Sequence, residues 1–282
     1  MIVEILANAF FNGCGYILVA LGMSLVFGVL NIINTAHNMY YVVGAYILYS
    51  WTIKLGLGYF PSILLSMICI ALFAFLLEIL IYKRLKIHVM QIIASNGLAI
   101  FLAEAIRIIW TSNSVVIKTP LQATKMQVGP ILFTAQRLSV VVAAFFAVIF
   151  IEMLIHKTRF GLMMRALPQD PMAASLNGIN VARISAVTFM IAGTLAVLAS
   201  ATMAPMYALK PNIAESIGNK TFAIVVFGGI GSVSGTVVAA FVIALIESFI
   251  AGYIASGYEN LVVFIILILT LIFRPSGLMG KK

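Results

Sequence analysis

The chain has 282 residues, 63% of them hydrophobic and 9% charged, with a formal net charge of +9. Soluble domains carry about a quarter charged residues and their single cores stop growing near this length, so this composition fits the bilayer as solvent. The basic residues sit in short connectors between apolar runs, which favours a positive-inside bias over a nucleic-acid partner.

Asp, Glu, Lys and Arg are absent from residues 5–53, 55–77, 184–209 and 221–246. A spanning helix needs about 20 mostly apolar residues. The ten-residue alternation of an outer-membrane barrel is missing. Cys14 and Cys69 lie inside apolar runs, which gives no disulfide framework. The start, Met-Ile-Val-Glu, lacks the basic region of a cleaved signal peptide, so the first helix is expected to be retained. The pattern predicts an all-α, multi-pass membrane bundle formed by one transmembrane domain, residues 1–282.

Spans are predicted near 5–33, 38–53, 60–81, 89–110, 138–156, 184–207, 221–254 and 259–273, about eight in all. In the first connector, Asn31, Asn34 and His37 recur every three residues, and a continued helix would set them on one broad face. They are candidates to line a solute pathway, with interhelical hydrogen bonding as the alternative. Three connectors are basic: Lys83, Arg84 and Lys86; Lys157, Arg159, Arg165 and Arg183; and Arg274, Lys281 and Lys282. Placing them in the cytoplasm puts the N-terminus outside, with Lys54, Lys118, Lys125, Arg137, Lys210 and Lys220 on the outer side. The tail joins the cytoplasmic side only if 221–254 makes two passes; a single pass sends it outside.

The connector 157–183 is read as a cytoplasmic loop carrying a short helix. Asp170 can cap it, Pro171 suits its first position, and Gly178 can end it in the left-handed conformation. Two turns are not stable alone. Met172, Leu176 and Ile179 therefore call for a surface, either on a partner or on the chain's own bundle. Further on, Gly228, Gly229, Gly231, Ser232, Ser234 and Gly235 make up six of the eight residues 228–235. That cluster favours unwinding, which suits either a half-helix at a translocation site or close packing through small residues.

Energy sources can be searched for directly. The phosphate-binding pattern G-x-x-x-x-G-K-[ST] does not occur, so any ATP hydrolysis would have to happen on another chain, and no cofactor is expected here. Glu104 and Arg107 lie one turn apart and are expected to pair. Glu247 is flanked by apolar runs; it or Glu104 would be the titrating group of an ion-coupled carrier, with hydrogen bonding inside the bundle as the alternative role of Glu247. No His/Asp/Glu cluster suggests a metal or an enzyme's acid–base chemistry.

Three stretches resemble the branched-chain amino acid ABC permeases of the LivH/LivM type. The first runs from Gly22 through Gly28, Asn31, Asn34 and His37 to Gly44-Ala45-Tyr46. The second is Gly161-x-x-x-Arg165-Ala166-x-x-Gln169-Asp170-Pro171-x-Ala173-Ala174-x-x-x-Gly178-Ile179-Asn180. The third joins Val225–Gly235 to Phe273-Arg274-Pro275-x-Gly277-Leu278. The resemblance implies a permease subunit of an ATP-driven importer in the bacterial inner membrane. It implies two ABC ATPases, a second permease subunit and an extracytoplasmic substrate-binding protein as partners. The helix at 170–177 would be the coupling helix, with Gly161, Arg165, Ala166, Gln169, Asp170, Pro171, Ala173, Ala174 and Gly178 forming the coupling site. Asn38-Met39 depart from the Gly-Glu that usually follows the family's histidine. The departure leaves urea, short amides or sugars, which relatives in the superfamily move, as alternatives to an amino acid.

Overall fold

The computed structural model describes residues 2–280 other than 86, 111, 129, 130, 254 and 255. Lys86, Lys281 and Lys282 of the basic clusters, and the last residue of the expected 221–254 span, lie outside the described residues. The helices are α1 (Ile2–Leu30), α2 (His37–Tyr49, continued by a wider turn over Ser50–Lys54), α3 (Tyr59–Leu80) and α4 (His88–Ile109). A small crown follows: α5 (Pro120–Ala123) and an antiparallel pair, β1 (Lys125–Val128) and β2 (Ile131–Thr134), with Lys125 opposite Thr134. Then come α6 (Ala135–Lys157), α7 (Arg159–Ala166), α8 (Pro171–Leu176), α9 (Val181–Met203), α10 (Ile213–Gly228), α11 (Val233–Tyr253) and α12 (Glu259–Phe273).

Among the described residues, six helices are long and apolar enough to cross a membrane: α1, α3, α4, α6, α9 and α11. Burial sorts them. The most apolar stretches of α1 and α9 are 78% and 72% buried, whereas those of α4 and α6 are 17% and 22% buried and turn their apolar faces outward, to lipid. Small residues let the central helices close on one another, as when Gly13 of α1 meets Phe241 and Ala244 of α11, and Gly193 of α9 meets Ile70 and Ala74 of α3.

These pairings fix direction. α1 and α11 are antiparallel, with Ile5 near Gly252 and Gly28 near Gly231. α10 folds back on α11, because Lys220 pairs with Glu247 across a turn at Gly229–Ser232. A continuous helix would separate those two residues by about 40 Å. The expected single stretch 221–254 is thus a hairpin, and α10 already begins at Ile213, earlier than predicted. Between Arg183 and Arg274 the chain makes four traverses, α9 through α12, and the two arginines share one end with Lys83, Arg84, Lys157, Arg159 and Arg165. The positive-inside rule assigns this end, which carries the basic connectors, to the cytoplasm. The parity question resolves to two passes, and the tail lies with the other basic connectors. One outer cation was misplaced: Lys220 sits inside α10, buried and paired, not in a connector.

Candidate functional site

The loop between α6 and α9 folds as its local chemistry dictates. Thr158 caps α7 by accepting the Gly161 N–H at 2.9 Å. The Asp170 carboxylate accepts the N–H groups of Met172 and Ala173, each at 2.9 Å, and Pro171 occupies the first position of α8. Gly178 ends α8 at φ +81°, a conformation that side-chain-bearing residues rarely take. Asn180 then caps α9 by accepting from the Arg183 N–H at 3.0 Å. These successive devices leave α8 as a rigid peg at the end of the bundle that carries the basic connectors.

Its surfaces divide cleanly. Met172 is 73% exposed and Leu176 79%, while Ala174 is buried at 6% against the chain's own loop and bundle. Arg165, Gln169, Asp170, Pro171 and Ala173 are exposed, Ala166 and Ile179 are half-buried, and Gly161 is buried where α6 bends into α7. Ala174, expected to face a partner, instead seats the helix on its own chain.

The expected pathway triad does not form a face. α1 stops at Leu30, Asn31 turns left-handed at φ 53°, and helix resumes only at His37. Asn31 is exposed. Asn34 is buried and accepts from the Tyr82 hydroxyl at 2.6 Å; His37 is fully buried, with Nε2 3.3 Å from the Val19 carbonyl oxygen. Both are held by their own bundle. Neighbouring residues face open space instead. Thr35 and Asn38 line a cavity of about 620 Å³ between α4 and α10, walled by Met23, Met39, Ala99 and Phe222, with Asn96, Asn212, Glu215 and Asn219 as further polar groups. Asn38 Oδ1 is buried and unpartnered there. Arg107 stands at the outer end, donating to Glu104 at 2.8 Å and to Asn212 at 3.1 Å. A wall mostly apolar with a few fixed polar groups is the usual make-up of a small-solute site. Sequence reasoning missed Glu215 and Asn219, although their four-residue spacing puts them on one face of a helix otherwise rich in apolar residues.

Gly228, Gly229, Gly231 and Ser232 do not line this cavity. They form the α10–α11 turn at the cytoplasmic end, against Gly28 and beneath the tail, where the Leu278 and Met279 N–H groups bond the Phe227 and Gly228 carbonyls at 2.8 and 3.0 Å. The break is a tight turn between two antiparallel helices, closed by small-residue packing, at the end of the bundle that carries the basic connectors.

The family described as "Branched-chain amino acid transport system / permease component" matches residues 5–271. The chain is 29% identical to the high-affinity branched-chain amino acid transport system permease protein BraD of Pseudomonas aeruginosa, over 98% of this chain and 95% of that one. It is 26% identical to the corresponding LivH of Escherichia coli K12, over 95% of this chain and 92% of that one. No solved structure matches.

Proposed function

The chain belongs to the branched-chain amino acid transport permease family, and from that premise we propose that it is the membrane permease of an ATP-driven importer that passes branched-chain or similarly hydrophobic amino acids across the bacterial inner membrane. Two cytoplasmic ATPases would bind the α7–α8 loop, a second permease subunit would complete the pathway, and an extracytoplasmic binding protein would deliver the solute. ATP and magnesium belong to the ATPases in this reading. The observation that supports it is the capped peg α8, whose Met172 and Leu176 stand largely exposed at the end of the bundle that carries the basic connectors.

The mechanism follows from how the peg is held. A partner cleft that closes on α8 moves it as one body, because Asp170, Gly178 and Asn180 fix both of its ends. α6 and α9 lead directly out of the loop, so displacement of α8 reaches the centre of the bundle through α9. The two states differ through the partner's geometry, and that differential contact is what a population shift requires. The cavity between α4 and α10 is the solute's path. Asn38 Oδ1 and Glu215 would accept from the ammonium, and the apolar wall would suit an aliphatic side chain.

Uptake into proteoliposomes tests the reading. Leucine accumulation should require the two ATPases, the binding protein and ATP. Accumulation by the chain alone, following a proton or sodium gradient, would refute it.

A further inference from the structure

A second cavity, of about 490 Å³, opens on the outer end of this chain, between α1, α10, α11 and the start of α12, and the import reading does not use it. Its chemistry is unlike the first. At one wall, Arg137 leaves α6 to donate to Asn8 Oδ1 at 2.8 Å, with its guanidinium 5.6 Å from the centre of the Phe11 ring. At the other, Lys220 pairs with Glu247, which also accepts from the Tyr16 hydroxyl at 2.7 Å, and Lys220 lies 3.8 Å from Glu259. Among the described residues, this one ammonium serves two carboxylates, so the second wall carries a carboxylate in excess. Ser248, 8% exposed, lines the same cavity, and its hydroxyl is buried with no partner. A buried hydroxyl without a partner is unfavourable unless a ligand or water supplies one.

A cationic wall, an anionic wall and an unmet hydroxyl, in a space of small-molecule size, suit a ligand that carries both charges. We propose that the outer cavity binds a free α-amino acid as a zwitterion, its carboxylate toward Arg137 and its ammonium toward Glu259 and Ser248. The inference builds on the import reading and adds a holding site on the outer side, separate from the cavity between α4 and α10. Ile5, Met203 and Ile213 in its wall would receive an aliphatic side chain.

The test uses the full-length chain in detergent. Radiolabelled leucine should bind, and isoamylamine and 4-methylpentanoate, each lacking one charge, should compete at least tenfold more weakly than leucine. Glu259→Gln and Arg137→Gln should each weaken leucine binding about tenfold or more, and Ser248→Ala a few-fold. Because Arg137 also ties α6 to α1, a second measurement leaves it intact: Ser216→Cys, in the same cavity wall, should be protected by leucine from a membrane-impermeant thiol reagent. Equal competition by the singly charged analogues, or unprotected labelling of Ser216→Cys, overturns the proposal. If ATP-driven leucine uptake persists while Ser216→Cys stays unprotected, the cavity inference fails and the importer stands. If leucine protects Ser216→Cys but uptake needs no ATP, the importer reading fails and the cavity stands.

Discussion

At the end of the bundle that carries the basic connectors, the α10–α11 hairpin and the peg α8 stand in opposite relations to the rest of the chain. The hairpin is closed on itself: its turn is wedged against Gly28, its carbonyls are taken by the tail, and its charges meet across the two helices. The peg closes only its backbone. Its caps are complete, yet its two large apolar side chains touch water. A segment that satisfies every group internally works as structure, whereas one that satisfies its backbone and leaves apolar surface uncovered is built to meet something else.

The hairpin side of that comparison breaks hardest at its buried pair. Glu247→Ala takes from the Lys220 ammonium, in a residue 9% exposed, its hydrogen-bonded carboxylate and leaves only Glu259, at 3.8 Å. The expected loss is about 3 kcal/mol, the low end for breaking a buried pair, read as a fall in thermal stability of the detergent-solubilised chain. Replacing both partners by Lys220→Met and Glu247→Leu should restore most of it. If the single variant is as stable as wild type, the clamp is not what closes the hairpin.

The turn is the next target. Gly231 has φ +77°, and its Cα abuts the backbone of Gly28, so Gly231→Ala meets both strain and overlap. About 2–4 kcal/mol is expected, on the same assay. Insensitivity at this position would return the cluster to the half-helix interpretation.

These two effects also show where sequence reasoning reached and where it stopped. Asp170, Pro171 and Gly178 were legible because a cap is decided within four residues. The glycine cluster was legible as a break but not as a reversal, since its direction depends on Gly28, some 200 residues earlier. Lys220 looked like a connector cation because its partner lies 27 residues ahead, on another helix. Asn31, Asn34 and His37 kept a helical spacing that the chain does not follow. Tyr82 and the Val19 carbonyl, both remote in sequence, hold the extended stretch that places Thr35 and Asn38 at the cavity instead.

Turning to the peg, removal of its cap by Asp170→Ala should cost about 1 kcal/mol of local stability, within a range of roughly 0.5–2. Global thermal stability should barely change, because α8 is a short surface element. ATP-driven uptake should fall much further than stability, since a frayed peg transmits no displacement. Asp170→Asn, which keeps a capping oxygen, should retain most of the uptake.

The smallest effect on the fold belongs to the most informative change. Met172→Ser with Leu176→Ser alters two exposed side chains and leaves every cap in place, so stability should stay within about 0.5 kcal/mol of wild type. If the uncovered apolar surface is a docking surface, co-purification of the ATPases should nevertheless drop sharply, because a buried aliphatic side chain contributes about 1.5–3 kcal/mol to a contact. Ala174→Ser makes the matching control, since that side chain faces inward and its replacement should weaken the seat of the peg before it affects assembly. Full assembly of the double serine variant would show that the peg meets its partner through the backbone and the polar residues Arg165 and Gln169. The contrast with the hairpin would then rest on polarity and not on uncovered apolar surface.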